Sequence, residues 1–131
     1  MANEAVCIET PTRFARYTVS DGTGIAIGTL LQITDPNTAS ASSGDNQKFG
    51  GIAWEEKTAS DGVTEIVAAL DGTWDITCTD AAVTAGALVN LTAANQVAAA
   101  ADADFENGSI VGRTLETSTT VETVRVRLLG F

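Results

Sequence analysis

Carboxylates are plentiful in this sequence and are the first side chains to consider for chemistry. Its 131 residues include 17 Asp and Glu. Paired carboxylates serve as acid and base in glycosidases, and Asp102, Asp104 and Glu106 together offer oxygen ligands that suit calcium. Almost every Asp, however, stands in a turn or on the polar side of a predicted strand, and the glycine of an EF-hand loop is missing. A solvated surface therefore explains these acids better than a catalytic or calcium site does.

The chain contains no histidine, which excludes Ser-His-Asp and Cys-His nucleophile systems and histidine-ligated zinc. Its two cysteines, Cys7 and Cys78, are too few and too far apart in sequence for a disulfide framework or a zinc knuckle. Cys78 shares the apolar face of a predicted strand with Trp74 and Ile76, which favours a buried role for it. The sequence therefore predicts a protein that is not an enzyme and that needs no cofactor or metal.

The formal net charge is -10 and the sequence pI is about 4.1. A field of this sign repels polyanions, so we expect no nucleic-acid partner. No segment approaches the roughly 20 apolar residues that cross a bilayer, so we expect no membrane partner either. The first residues are neither basic nor followed by an apolar stretch, which predicts no signal peptide and synthesis in the cytoplasm.

Turn-forming dipeptides at short intervals divide the sequence into short strands. The clearest strand covers 72–78, where Trp74, Ile76 and Cys78 alternate with polar residues. The last segment repeats this alternation, and the residues that share its apolar face are Val124, Val126 and Leu128. Less regular strands are predicted over 25–33, 51–54, 64–70, 88–91 and 110–115. Seven or so short strands without an amphipathic helix predict an all-β barrel or sandwich, and no internal repeat is evident.

The tryptophans Trp54 and Trp74 are expected in the core, with stacking against a ligand as the less favoured alternative. Alanine-rich 93–103 favours helix by propensity, but its polar residues interrupt any apolar stripe, so a turn or a short helical loop is expected there. The polar tract 38–47 is expected to be an exposed loop.

Residues 1–20 differ in character from the rest and are predicted to be an extended arm that leads into a single domain over 21–131. Proline and threonine at 9–12 do not easily continue regular structure. Two of the seven basic residues stand beside two aromatic residues in this arm, namely Arg13, Phe14, Arg16 and Tyr17. On so acidic a chain, this group is the one best suited to contact an acidic partner surface.

An ordered set of short segments resembles the small capsid decoration, or cement, proteins of tailed bacteriophages, of the lambda-like head decoration or β-tulip type. The segments are Phe49-Gly50-Gly51-Ile52-Ala53-Trp54-Glu55, Asp71-Gly72-Thr73-Trp74-Asp75-Ile76-Thr77-Cys78, Thr84-Ala85-Gly86-Ala87-Leu88-Val89, Ile110-Val111-Gly112-Arg113-Thr114-Leu115-Glu116-Thr117 and Thr123-Val124-Arg125-Val126-Arg127-Leu128. They are distributed over the stretch from Phe49 to Phe131, about two thirds of the chain, and their order is more specific than any one of them.

The resemblance implies a compact β-barrel that forms trimers on the outer surface of the mature phage head. There it would bind the major capsid protein at threefold and quasi-threefold positions and stabilise the lattice. The arm residues would then contact the capsid, while Trp54, Trp74, Ile76, Cys78, Val124, Val126 and Leu128 would form the core. A minor head, tail-tube or fibre-base protein is the alternative within the virion, and a carbohydrate-binding domain that uses Trp54 and Trp74 is the alternative outside it.

Overall fold

The computed structural model of this chain describes residues 3–79 and 83–129, without the side chain of Asp102. These residues form eleven strands and one short helix. In chain order the elements are β1 (Val6–Glu9), β2 (Phe14–Thr18), β3 (Leu30–Thr34), β4 (Thr38–Ala41), β5 (Phe49–Ala53), β6 (Glu65–Ala69), β7 (Thr73–Cys78), β8 (Leu88–Ala93), β9 (Gln96–Ala99), α1 (Asp102–Asn107), β10 (Ile110–Thr114) and β11 (Glu122–Leu128). The prediction of an all-β, single-domain barrel protein is confirmed.

The first barrel closes in the order β2-β4-β3-β5-β6. Its strands pair antiparallel except β2 and β4, which meet in parallel at Thr18 and Thr38. Alternate residues of each strand point inward, as the two-residue period of a strand requires. The interior is a buried apolar cluster made of Val19, Ile25, Leu31, Ala39, Ala53, Ile66 and Ala68, with Tyr17 packed against it.

The second barrel has the order β7-β11-β10-β8-β9 and closes through a short parallel pairing of β9 with β7. β1 joins this sheet as an additional strand, antiparallel to the first half of β7. The core of the second barrel also includes Leu30, Ile52 and Ala69 of the first barrel. This shared packing makes the two barrels one domain.

The two barrels have the same connectivity, strand for strand. β2 to β6 pair with one another in the same order and the same directions as β7 to β11. Both barrels also carry an irregularity at the same place, between β3 and β5 in the first and between β8 and β10 in the second. The expectation of no internal repeat is therefore wrong at the level of structure.

Hydrogen bonds outside the sheets repeat in the same way. The Glu55 carboxylate accepts the Val67 N–H at 3.1 Å, and at the equivalent place Glu116 accepts the Arg125 N–H at 2.8 Å. The N–H of Gly28 donates to the Ala53 carbonyl at 2.9 Å, and the N–H of Gly86 donates to the Thr114 carbonyl at 2.8 Å. Some residues are identical in the two barrels because the backbone conformation at their positions suits few residue types. Gly28 and Gly86, for example, have φ angles of 89° and 94°, which favour glycine.

The described part of residues 1–20 contributes strands to both barrels. β2 pairs with β6 over five residues, from Phe14 with Ala69 to Thr18 with Glu65. The predicted boundary at residue 20 therefore does not separate an arm from the barrel. Sequence reasoning missed β2 because the outward residues of this strand include Phe14, which blurs the alternation that marks a half-buried strand.

Two other segments differ from the sequence predictions. The tract 38–47 begins with β4, whose small residues pair with β3 over four positions. The alanine-rich segment 93–103 contains β9 and the start of α1. Both strands are four residues long and rich in Ala, Ser or Thr, so burial by their neighbours rather than their own apolar pattern stabilises them.

Candidate protein-binding face

Three aromatic rings run from the core to the surface where the two barrels meet. Trp74 is only 2% exposed and meets Trp54 edge to face, with ring centroids 6.0 Å apart. Trp54 is half-buried, and its ring centroid lies 5.6 Å from that of Phe14. Phe14 is 45% exposed. The Trp74 indole N–H donates to the Asp71 carbonyl at 3.1 Å. Trp74 thus anchors the row, and Trp54 and Phe14 present it to solvent.

Two shallow clefts share Trp54 in their lining. One has a volume of about 420 Å³ and is lined by Phe14, Ala15, Arg16, Trp54, Glu55 and Val67. The other has a volume of about 350 Å³ and is lined by Ala5, Val6, Cys7, Ile27, Gly28, Trp54 and Trp74. Val6 and Ile27 at the second cleft are 60% and 54% exposed. We call the two clefts, with these exposed side chains, the aromatic face.

The aromatic face combines several large apolar side chains that are exposed and lie around the same two clefts. Single exposed apolar residues are common on proteins, but a contiguous patch marks an interaction site. Aromatic side chains with a buried anchor are also the residues that dominate the energetics of protein interfaces. The aromatic face therefore has the composition of a protein-binding surface.

Two basic residues accompany this face: Arg16 of β2 lines the first cleft, and Arg13 directly precedes β2. The Arg16 guanidinium lies 3.7 Å from the Glu65 carboxylate, and both side chains are more than half exposed. A pair exposed to this degree contributes little to stability, so Arg16 can exchange Glu65 for an acid of a partner at low cost.

Asp71 fixes the backbone just before β2. Its carboxylate accepts the Thr12 hydroxyl at 2.6 Å and the N–H groups of Thr12 and Arg13 at 2.7 and 3.0 Å. The Thr12 hydroxyl, followed by these N–H groups, lowers the pKa of Asp71, because such bonds favour the charged form. The start of β2, and with it Phe14, is thereby held in place.

Tyr17 does not share the surface of the other predicted contact residues. In β2 the side chains of Phe14 and Arg16 point outward, whereas Tyr17 packs against the core of the first barrel. Its hydroxyl donates to the Gly50 carbonyl at 2.7 Å, and burial raises its pKa. The structure thus brings Phe14 and Arg16 together and places Tyr17 inside the barrel wall, so it is not positioned for the predicted contact.

The other residues assigned to the core lie in the second barrel. All are 4% exposed or less, and they are Trp74, Ile76, Cys78, Val124, Val126 and Leu128. Cys7 packs against this cluster, and burial raises the pKa of its thiol. Because the Trp74 ring is buried, only Trp54 of the two tryptophans has surface for a ligand to stack on, which removes the basis for a two-tryptophan carbohydrate site.

Sequence reasoning missed a buried lysine in the first barrel. Lys57 is 2% exposed. Its ammonium donates to one carboxylate oxygen each of Asp21 and Asp61, at 3.1 and 2.7 Å, and to the backbone carbonyls of Asp21 and Thr58, at 3.0 and 2.7 Å. This group connects two loops and satisfies the ammonium completely. The spacing of Lys57 and Asp61 is visible in the sequence, but the contribution of Asp21 is not.

Burial alone would lower the pKa of Lys57, but the hydrogen bonds and charges of Asp61 and Asp21 outweigh burial and raise it. The hydrogen bond from Lys57 lowers the pKa of Asp61 in turn. Both shifts favour the charged pair at neutral pH.

The acidic group weighed as a calcium site has a structural explanation for one of its members. The Asp104 carboxylate accepts the N–H of Ala101 at 2.7 Å, at the start of α1. The side chain of Asp102 lies outside the described residues. Among residues 3–79 and 83–129, no three His, Cys, Asp or Glu side chains are grouped so that they could hold a metal ion.

No family model matches this sequence, and no curated protein matches it. Among the described residues, no helix is long and apolar enough to cross a membrane.

Proposed function

We propose that this chain is a capsid decoration protein of a tailed bacteriophage, which binds the major capsid protein on the outer surface of the mature head. The observation that carries the proposal is the aromatic face, because it gives a small acidic protein one concentrated apolar surface for another protein. The ordered segments that resemble decoration proteins supply the identity of that partner. The closed barrels add a preformed scaffold, so binding needs no large conformational change.

The aromatic face is expected to contribute most of the binding energy at each contact. Phe14 and Trp54 would fill apolar depressions of the capsid surface, and Arg13 and Arg16 would pair with acids at the border. Each such anchor contributes about 1–3 kcal/mol. Because Tyr17 lies inside the barrel wall, it has no part in this contact.

Association into trimers would multiply these modest contacts. A trimer at a threefold or quasi-threefold position touches several capsid subunits at once, so its overall affinity exceeds that of one copy through avidity. Such a bridge would resist the outward pressure of packaged DNA. The net charge of -10 would keep virions dispersed after synthesis in the host cytoplasm and attachment to the heads.

The composition of purified virions tests this proposal. Quantitative mass spectrometry should find the chain in hundreds of copies per particle, in a fixed ratio to the major capsid protein. A handful of copies would instead assign it to a minor head, tail-tube or fibre-base role. Absence from the virion would contradict both.

A further inference from the structure

The backbone of β2 has two edges with different surroundings. The carbonyl of Arg13 accepts the Leu70 N–H, and the Val19 N–H donates to the Thr64 carbonyl, both at 2.9 Å. These bonds show that the odd-numbered residues of β2 direct their backbone groups to β6. Because backbone groups alternate along an antiparallel pair, those of Phe14, Arg16 and Thr18 point to the other edge.

That second edge is covered only at its end. The Thr18 N–H donates to the Asn37 carbonyl at 2.9 Å, and the Asn37 side chain donates to the Arg16 carbonyl at 3.2 Å. β4 pairs with β2 at Thr18 alone. Within the described residues, no strand lies beside β2 on this edge from Phe14 to Arg16.

The equivalent edge in the second barrel is occupied. Phe14 and Arg16 correspond to Thr73 and Asp75, as their pairings with β6 and β11 show. β1 lies against this part of β7, with Val6 opposite Asp75 and Glu9 opposite Thr73. Each barrel thus has an equivalent strand position, beside β7 in the second barrel and beside β2 in the first. β1 occupies this position in the second barrel, and the position is open in the first.

We propose that the open edge of β2, residues 14–16, binds an extended segment of a partner protein as an additional antiparallel strand. An exposed edge offers a row of unpaired N–H and C=O groups, which is the basis of strand addition in peptide recognition. The occupant of the equivalent position, β1, shows the kind of segment that fits: about four residues in extended conformation.

Charge indicates the composition of that segment. The position of Asp75 in the second barrel is taken by Arg16 in the first, and Arg13 precedes the open edge. On a chain with a net charge of -10, these two cations favour a segment that carries Asp or Glu. Since the inference rests on the proposed function for the identity of the partner, we assign the segment to the major capsid protein.

Hydrogen exchange of the unaltered protein tests strand addition directly. The protein is measured free and bound to expanded phage heads that lack it, with single amides resolved by mass spectrometry. The amides of Phe14 and Arg16 should exchange at least about tenfold more slowly when bound, because each gains a backbone acceptor. The amides of Ala15 and Tyr17, already directed to β6, serve as internal references and should change much less.

A pair of variants at one position separates the backbone from the side chain. Phe14→Ala and Phe14→Pro both remove the ring, but only proline removes the outward N–H, and proline is tolerated at such an edge position. Phe14→Pro should bind heads at least about tenfold more weakly than Phe14→Ala. Melting temperatures of the two variants show whether both are folded, and if Phe14→Pro is not, the exchange measurement decides alone.

The outcomes distinguish this inference from the proposed function. If the protein binds heads but Phe14 and Arg16 exchange as fast as in the free state, the strand addition is wrong and the decoration role stands. If it does not bind heads at all, the proposed function fails. Protection of the two amides in the concentrated free protein would assign the edge to a second copy of this chain and overturn the inference.

Discussion

Trp54 of the first barrel and Trp74 of the second barrel meet edge to face, with ring centroids 6.0 Å apart. The contact joins the shared core to the aromatic face, since Trp74 is buried and Trp54 is half-buried. The pair therefore links the core to the proposed binding surface, and substitutions on its two sides should separate effects on stability from effects on binding.

Trp74→Ala should lower the free energy of unfolding by about 3–5 kcal/mol, as expected when a large aromatic side chain is removed from a core. Chemical denaturation measures the change. Phe14→Ala is the matched control and should cost less than about 1.5 kcal/mol, because its side chain is 45% exposed. A change below about 1 kcal/mol for Trp74→Ala would mean that the Trp74 contacts do not stabilise the domain.

Lys57→Met should lower the melting temperature by at least about 5 °C, because Asp21 and Asp61 lose their shared cation. The pKa of Lys57 is raised in the folded protein, so its contribution is complete below the unfolded pKa. It is lost as the pH rises through the raised folded pKa. The difference in melting temperature between the unaltered protein and Lys57→Met should therefore shrink at strongly alkaline pH.

Lys48→Met is the control for this prediction, since Lys48 is an exposed lysine. It should leave the melting temperature nearly unchanged. An equally small effect of Lys57→Met would contradict the stabilising role of the buried ammonium.

Asp71→Asn should weaken the attachment of the segment before β2 and reduce the stability at neutral pH. The pKa of Asp71 is lowered in the folded protein, so its contribution is present above the unfolded pKa of about 3.9. The contribution is lost as the pH falls through the lowered folded pKa. Melting curves from pH 6 to pH 2 should thus show a smaller loss of stability for Asp71→Asn than for the unaltered protein. Parallel curves for the two proteins would contradict this assignment.

Glu55→Ala and Glu116→Ala test the equivalence of the two barrels. Each removes one carboxylate that accepts a backbone N–H, so each should lower the free energy of unfolding by about 1 kcal/mol. Urea denaturation of both variants provides the comparison. If the losses in free energy of unfolding differ by more than about 2 kcal/mol between the two variants, the two equivalent hydrogen bonds do not contribute equally to stability.

The alternating strands were the part of the fold that the sequence could predict. β7 and β11 were located closely, because Trp74, Ile76 and Cys78 and, in the last segment, Val124, Val126 and Leu128 follow a strict period of two. The barrel class followed from the number of short strands and the frequency of turns. The Asp and Glu residues were assigned to turns and polar strand faces, because their spacing matched neither a metal-binding motif nor a catalytic acid–base pair.

The repeat and the role of the first twenty residues could not be predicted from the sequence. The barrels share hydrogen bonds and backbone conformations at positions such as Gly28 and Gly86, whereas core positions differ in residue type, as the buried Ala68 and Val126 do. A core accepts different apolar residues when total volume is conserved, so the repeated structure leaves little trace in the sequence. β1 and β2 could not be predicted because their exposed side chains include the apolar residues Val6, Ile8 and Phe14. These strands therefore lack the polar face that marks a half-buried strand in a sequence.

The first two strands are part of the barrels, so they cannot be deleted without consequence for folding. Removal of residues 1–16 takes away β1 and most of β2, so the shortened chain cannot close the first barrel. Such a truncation would disrupt the fold as well as any contact surface, so point substitutions on the aromatic face are the informative variants. Phe14→Asp is the most direct, with Val121→Asp as its control, because Val121 is 61% exposed and lines neither cleft.

Co-sedimentation with expanded phage heads that lack the chain tests the central claim most directly. The unaltered protein and Val121→Asp should saturate near one copy per capsid subunit, whereas Phe14→Asp should bind at least about tenfold more weakly, since a charge replaces an interface anchor. No pelleting of the unaltered protein, or saturation at a handful of copies per head, would contradict the decoration role. Equal binding by Phe14→Asp and Val121→Asp would contradict the assignment of the aromatic face as the contact surface.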